Sequence, residues 1–442
     1  MSDLLFGSRA EIEATQTRRF VETMQRVATA HPYYRRVLAQ RRLGAAEFRS
    51  LDDLGKLPLT RKQDYMREPE AFRLADAALP EEMQAVWDVM YTTGSTAGRP
   101  TPFVSTSFDF FRILELNRNM LRLRGVRGDD VIANLFPLTA RPHGAFIRTL
   151  HAAASMNIRV VAALPGNPSP YFSLGHGLDE VVDIVAQNRA TILWGVPSYV
   201  RRVVARADEL GADFRAVRLA FVTGEGLGEP ARADFTSALR RIGSREAWVS
   251  ISYGATEMQG GMVECAPGSG YHNPAPDQFH VAIVDPQSGA TLPDGESGLV
   301  TLTHLQRTGT VLLRYALGDT SVLSRGRCPH CGSWTDRLVA MPRRIDSLMK
   351  IKGTLVNPDV LVQAAESVLQ GREFQFVVTR GGDGADALTV RVPPDAAALG
   401  EPLARAVKQA AGVTAQVELA EPRVFADPSR SWKMKRVVDL RD

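Results

Sequence analysis

Lysine is nearly missing from this chain. Of 53 basic side chains in 442 residues, seven are Lys, and five of those seven lie beyond residue 349. A coding bias toward Arg would account for the scarcity, and under such a bias a Lys that persists at a chemically meaningful place is mildly informative. Basic blocks are missing too. The pI is near 9.0 but the formal net charge is only +4, with no interleaving of basic and aromatic residues, so no nucleic-acid partner is expected. No apolar run approaches the roughly 20 residues that cross a bilayer. The opening MSDLLFGSRAEIEATQTRRF lacks the basic and then apolar stretches of a secretory leader. Cysteine is scarce: three, an odd number, all in the second half, which is not a disulfide framework. A reducing, cytoplasmic setting with no membrane association is the expectation. Internal repeats and low-complexity tracts are absent.

What is present is a long, ordinary globular chain, 44% hydrophobic and 23% charged, too long for a single core. The first eighty residues read as helical. From about Val86, β-rich apolar runs (AVWDVMYTT, DVIANLF, IRVVAAL, ATILWGV, VRLAFVTG, AWVSISYG) alternate with helical periods such as SFDFFRILELNRNMLRLRG and LDEVVDIVAQNRA. That alternation predicts an α/β fold of layered, largely parallel sheets and helices. FHVAIVDPQSGATLPDGESGLVTLTHL, broken by Pro, Asp and Gly turns, predicts a β-hairpin within a β-rich part. After RRIDSLMKIKGTLVNP the order helix, strand, strand, helix, strand predicts a small α+β unit. The expected domains are therefore 1–345 and 346–442.

Four stretches carry chemistry. YTTGSTAGRP, 91–100, is dense in Thr, Ser and Gly, so backbone N–H groups and hydroxyls are available to phosphate oxygens. It lacks the Lys that a nucleoside-triphosphate loop places beside its second Gly. VTGEGLGE, 222–229, is a strand running into a Gly-rich turn with Glu225. SYGATE, 252–257, offers the flat ring of Tyr253 to a base and the hard carboxylate of Glu257 to Mg2+. LRYALGDTSVL places Asp319 after a Gly, suited to ribose hydroxyls.

That set, in that order, resembles the adenylate-forming superfamily that includes acyl-CoA synthetases, and in its particulars the phenylacetate–CoA ligase family, from about residue 50 to the C-terminus. The resemblance implies that Thr92, Thr93, Gly94, Ser95, Thr96 and Gly98 lie over the β- and γ-phosphates. Gly224 and Glu225 would border adenine, with Tyr253 and Gly254 in the adenine-stacking segment. Thr256 and Glu257 would serve phosphate and Mg2+, and Asp319 would bind ribose. RRIDSLMKIKGTLVNP is similar to the family's hinge, which implies Arg344 as the nucleotide-side Arg, Asp346 as the pivot of a mobile small domain, and Gly353 near that domain's active face.

The missing lysine then has a candidate. SRSWKMKRVVD is similar to the family ending K-x-x-R-V-x-D, which Lys433, Arg436, Val437 and Asp439 fit and Lys435 does not. The implied role of Lys433 is to bridge the carboxylate substrate and the α-phosphate, where negative charge spreads over oxygens in the transition state. The acid pocket would be lined by Phe136, His143, Trp194, Val196, Ser198, Tyr199 and Ala255. Trp and Phe favour a flat aromatic acid. Arg141, Pro142 and His143 depart from the family's Gly-rich stretch there, which points away from phenylacetate itself.

CPHC, 328–331, is a C-x2-C knuckle, and with Cys265 and His272 upstream it makes a Cys3His set suited to structural Zn2+. His280 and His330 are alternatives for the fourth ligand. The resemblance thus implies an AMP-forming ligase that takes ATP, Mg2+, a small carboxylic acid and coenzyme A, as a monomer or homodimer. An acyl carrier protein thiol or an amine is the alternative acceptor. A zinc-stabilised nucleotide-binding scaffold without activity is the remaining alternative, and it predicts loss of Lys433, Glu257 or Asp319. All three are present.

Overall fold

The computed structural model describes residues 3–75, 77, 79–91, 101–138, 144–166, 175–345, 349–352, 354–380, 386–421, 424–425 and 435–441. Two compact units emerge. One comprises Met1–Gly128, His143–Ile158 and Ser252–Arg344; the other comprises Asp129–Pro142, Arg159–Ile251 and Ile345–Asp442.

In the second unit five strands run parallel in the order 159–162, 131–134, 192–195, 219–222 and 248–251. Val131–Asn134, Ile192–Gly195 and Leu219–Val222 are buried along their whole length. This is why they read as continuous apolar runs rather than alternating ones. Helices Leu178–Gln187, Pro197–Leu210 and Glu229–Arg241 supply crossovers.

The same unit holds the chain from 345 onward, which has its own core of Leu361, Phe376, Val378, Leu388, Val390, Leu403 and Val407. Its sheet runs Gln416–Leu419, Asp386–Val392, Gln375–Arg380, Val437–Asp439, beside helices Pro358–Leu369 and Gly400–Ala411. The tail strand Val437–Asp439 has no counterpart in the sequence reading. It is three residues long and is held by parallel pairing, Phe376 opposite Val437.

The first unit opens with helices Arg9–Ala30 and Pro32–Arg41. Ser8 and Glu11 form a capping box at the start of the former. Beyond them the expectation of helix to residue 80 holds only in pieces. Gly44, Gly55, Pro58, Pro69 and Pro80 interrupt the period, and the segment becomes short 3-10 turns and one six-residue α-helix, Lys62–Arg67. Val86–Tyr91 is likewise not a member of a parallel layer. It pairs antiparallel with Pro102–Thr106, because the connection between them is shorter than a parallel crossover needs. The stretch 91–100 therefore leads into a strand before the helix Ser107–Leu123. The expected hairpin is found, Phe279–Val284 against Ser297–His304. It continues antiparallel through Tyr315–Ser324, Arg337–Leu338, Tyr271–His272 and Gly260–Val263 to residues 252–255.

Buried histidines give this unit a pH signature. His31 Nδ1 accepts from the Tyr34 N–H at 3.3 Å, and Nε2 lies 3.1 Å from the Val311 carbonyl. A carbonyl only accepts, so the ring is neutral with its proton on Nε2, and burial lowers its pKa to about 4. Burial lowers His280 to about 4 as well. Between pH 6.5 and 4 the unfolded chain binds more protons than the folded one. The contribution is complete above pH 6.5 and is lost as pH falls toward 4. The melting temperature should be level from pH 8 to 6.5 and fall steadily from 6.5 to 4.5. A melting temperature independent of pH down to 5 would contradict neutral buried rings.

Candidate active site and metal cluster

Tyr253, Asp319 and Arg344 form a connected group in the first unit. Tyr253 donates its hydroxyl to Asp319 Oδ2 at 2.8 Å, and Arg344 Nε lies 3.2 Å from Asp319 Oδ1. The backbone makes this possible: Asp319 and Arg344 are opposite each other on adjacent antiparallel strands. Arg344 also donates to the Leu317 carbonyl at 2.8 Å. Gly318 is required between them. Its φ is +83°, and a Cβ there would meet Arg344 Nη1 at 2.8 Å. Burial, followed by the neighbouring Asp319 charge, pushes the Tyr253 phenol well up, so it remains a donor. Burial also raises Asp319, against the lowering effects of Arg344 and Tyr253. Each carboxylate oxygen keeps a lone pair for a further donor such as a ribose hydroxyl.

Glu257 is buried and held from two sides. Tyr315 donates its hydroxyl to Glu257 Oε1 at 3.0 Å, and burial raises that phenol. His304 accepts from the Leu312 N–H on Nδ1 at 3.0 Å, so Nε2 carries the proton and donates to the Glu257 carbonyl at 2.9 Å. Burial holds His304 well below its ordinary pKa, so the ring stays neutral. Thr256 is half-buried, and its carbonyl accepts from Gln259 Nε2 at 2.6 Å. Gly254 faces Gly261 across the strand pair, and a Cβ at 254 would meet the Gly260 carbonyl oxygen at 2.8 Å. Ala255 is half-exposed at the end of that strand.

In the second unit Glu225 and Ser198 are partners. The Ser198 N–H and Oγ both donate to the Glu225 carboxylate, at 3.2 and 3.0 Å. Glu225 thereby satisfies a free donor at the start of the helix Pro197–Leu210, where an anion is favoured. Gly224 before it has φ +90°. Trp194 and Val196 are buried, and Phe136 is wholly enclosed. Trp194 packs edge-on against Phe221 at 5.4 Å. Tyr199 is half-buried with Arg202 5.8 Å over its ring, and burial raises its phenol.

The metal-ligating atoms of Cys265, His272, Cys328 and Cys331 all lie within 4.8 Å of one another. Cys265 Sγ is 3.7 Å from Cys328 Sγ, and Cys331 Sγ is 3.7 Å from His272 Nε2. A tetrahedral Zn2+ at its usual bond lengths sets sulfurs ~3.8 Å apart and a sulfur and a nitrogen ~3.6 Å apart, so these two edges fit it. The histidine is also oriented for a metal. Ser333 Oγ donates to the Leu5 carbonyl at 2.7 Å, which uses its only proton. Thr335 Oγ1, 3.0 Å away, must then donate to Ser333 and accept from His272 Nδ1 at 3.0 Å. The lone pair is left on Nε2, toward Cys331, as a hydrogen bond to the far nitrogen of a metal-binding His does. His280 instead lies 4.0 Å from Asp336, and His330 is exposed.

Thr92, Thr93, Gly94, Ser95, Thr96, Gly98, His143, Asp346, Gly353 and Lys433 lie outside the described residues. Of the rest of the tail motif, Arg436 makes an ion pair with Glu373 at 2.9 Å and lies 4.5 Å over the Phe374 ring. Asp439 pairs with Arg441 at 2.6 Å. The sequence reading missed Arg148, Gln259, His304 and Tyr315 as supports. Two of them left a signal: Arg148 is the one charge in AFIRTLHAA, and Tyr315 opens the stretch YALGD that ends at Asp319.

Comparison with known proteins gives the family and the fold. The family described as AMP-binding enzyme matches residues 25–306. A phenylacetate-coenzyme A ligase of Thermus thermophilus is 27% identical, covering 98% of this chain and 97% of that protein. Another, of Aromatoleum evansii, is 26% identical over 98% and 96%. Among solved structures, a 2-hydroxyisobutyryl-CoA ligase in its postadenylation state, with R3-HIB-AMP bound, has the same fold. Its TM-score is 0.78, at 22% identity over 97% of this chain and 90% of that one.

Proposed function

The chain belongs to the AMP-binding enzyme family, and on that premise we propose that it is an ATP-dependent acid–thiol ligase. It joins a small carboxylic acid to AMP with release of pyrophosphate, then passes the acyl group to coenzyme A. The observation that carries this is the assembly of Tyr253, Asp319 and Arg344 in one unit with Glu257, in a chain that matches phenylacetate-coenzyme A ligases end to end.

In this reading Asp319 accepts the ribose hydroxyls and Tyr253 flanks adenine, with Gly224, Glu225 and Gly254 at its edges. Glu257 and Thr256 would hold Mg2+, which supplies positive charge to the phosphate oxygens when bound. Residues 92–98 cover the phosphates. Phe136, His143, Trp194, Val196, Ser198, Tyr199 and Ala255 shape the acid pocket, and their aromatic content favours an aryl or arylacetic acid. Residues 346–442 act as the small domain that brings Lys433 to the reacting carboxylate and turns at Asp346.

The test is product analysis with ATP, a panel of aryl acids, and coenzyme A present or withheld. AMP, pyrophosphate and an acyl-CoA thioester are expected. Acyl-AMP with no thioester under any condition would favour a carrier-protein thiol or an amine as acceptor. No acid-dependent AMP at all would leave only the scaffold reading.

The Cys3His cluster fits a structural Zn2+, because four protein ligands leave no open position for chemistry. One zinc per chain is expected by metal analysis of the purified protein. Its removal by a chelator should lower the melting temperature before it weakens ATP binding. Substoichiometric zinc with freely alkylated cysteines would refute this.

A further inference from the structure

Among the described residues Arg148 makes three polar contacts from the helix Gly144–Met156, all within the first unit. Nη2 donates to Asp88 Oδ2 at 3.1 Å and to Gln259 Oε1 at 2.6 Å, and Nη1 donates to His151 Nδ1 at 3.1 Å. Its side chain is 9% exposed. Burying a guanidinium is unfavourable unless its partners compensate, and Arg148 is the one Lys, Arg, Asp or Glu on that helix. A core selected for stability alone has little use for it there.

The partners suggest another use. Asp88 belongs to Val86–Tyr91, the strand that leads directly into residues 92–100. Gln259 closes the turn that carries Thr256 and Glu257. Its φ is +55°, its N–H donates to the Thr256 carbonyl at 3.1 Å, and its Nε2 donates to the same oxygen. A non-Gly residue in the left-handed region is held there by its surroundings, and Arg148 supplies the contact that orients this amide. Because Arg148 takes the amide oxygen, the amide nitrogen is turned to Thr256.

We propose that Arg148 is a positioning residue for adenylation, one strut that fixes the Thr256–Gln259 turn through Gln259 and the strand before residues 92–100 through Asp88. The inference rests on the function proposed above, since that reading assigns phosphate and Mg2+ roles to both elements. His151 is the neutral member of the group. Burial and the Arg148 charge hold its pKa down to about 4, and its edge-on contact with Phe110 at 5.0 Å keeps the ring in place. Asp88 and Arg148 are the charged groups that face it, and the ring stays neutral through the neutral range.

The test compares Arg148→Met, Gln259→Leu and the double variant in acid-dependent ATP–pyrophosphate exchange, well below the melting temperature of each. Misplacing reacting groups by about an ångström costs up to ~100-fold. Arg148→Met should therefore lower kcat by about 10- to 100-fold and raise the Mg2+ needed for half-maximal rate, while KM for the acid stays within about twofold. If Arg148 acts through Gln259, the double variant should lose little more than the worse single one. Backbone amides 256–262 should also exchange hydrogen faster in Arg148→Met than in the wild type. Wild-type kcat and Mg2+ dependence in Arg148→Met, or losses that add in the double variant, would overturn the proposal while leaving the ligase reading intact. A wild type with no acid-dependent exchange would overturn the ligase reading and this proposal with it.

Discussion

Lys433→Ala should lose acyl-AMP formation by roughly a hundred- to a thousandfold, the cost of about 2.7–4 kcal/mol that follows removal of a charge contact made in the transition state. A carboxylate and a triphosphate repel each other, and the pentavalent phosphorus they form together carries more negative charge on its oxygens than either reactant. The stretch 91–100 offers Arg99 but no Lys to that charge, so a Lys for it has to come from elsewhere in the chain. The tail supplies two Lys, Lys433 and Lys435. Lys435 is exposed, and its carbonyl accepts from Gln375 Nε2 at 3.1 Å as the chain enters the strand Val437–Asp439. Arg436 is committed to Glu373 and the Phe374 ring. Lys435→Ala should therefore stay within about twofold of wild type, as exposed substitutions away from such features do. Pyrophosphate exchange measures both variants. Transfer from preformed acyl-AMP to coenzyme A should survive in Lys433→Ala, because that step no longer involves the triphosphate. Exchange at wild-type rate in Lys433→Ala, with loss in Lys435→Ala, would reassign the lysine.

The parts of this protein legible in its sequence are those whose signal is local. Ile192–Gly195 and Leu219–Val222 are continuous apolar runs because both faces are covered, and they read as parallel strands. The hairpin at 279–304 has its own turn residues. The Cys3His set was readable from a C-x2-C knuckle and the small number of cysteines. What pairs at a distance was not readable. Whether Val86–Tyr91 lies in a parallel layer or a hairpin depends on its partner strand. Val437–Asp439 is too short to show any period. Arg344 was placed near the nucleotide by resemblance alone, and its opposition to Asp319 depends on strand register, which the sequence does not print. His272 was one of three candidates until the hydroxyl chain through Thr335 and Ser333 oriented its ring. The partners that explain His304 and Arg148 are 47 and 111 residues away in the chain.

Asp319→Ala is expected to weaken ATP binding by about a hundredfold, since hydrogen bonds to a charged group are worth about 1.5–3 kcal/mol and a ribose offers two donors. The carboxylate also takes Tyr253 on one oxygen and Arg344 on the other, so its removal deprives the Tyr253 hydroxyl of its acceptor. Asp319→Asn is not a mild change here. One amide oxygen cannot serve two donors on opposite sides, and the amide nitrogen would face either a hydroxyl proton or a guanidinium. The loss in Asp319→Asn should be close to that in Asp319→Ala, which equilibrium binding of ATP would measure. The charge itself can be tested by pH. Burial raises the Asp319 carboxyl, while the Arg344 guanidinium opposes that shift. Ribose binding calls for the ionised form as acceptor, so affinity should begin to fall, as pH is lowered, above the range where an exposed carboxylate titrates. Arg344→Ala removes the opposing charge, so the midpoint of that fall should move to higher pH. An Arg344→Ala midpoint equal to wild type would mean that Arg344 does not hold the Asp319 charge, and the pairing of the two strands would then have no electrostatic role in nucleotide binding.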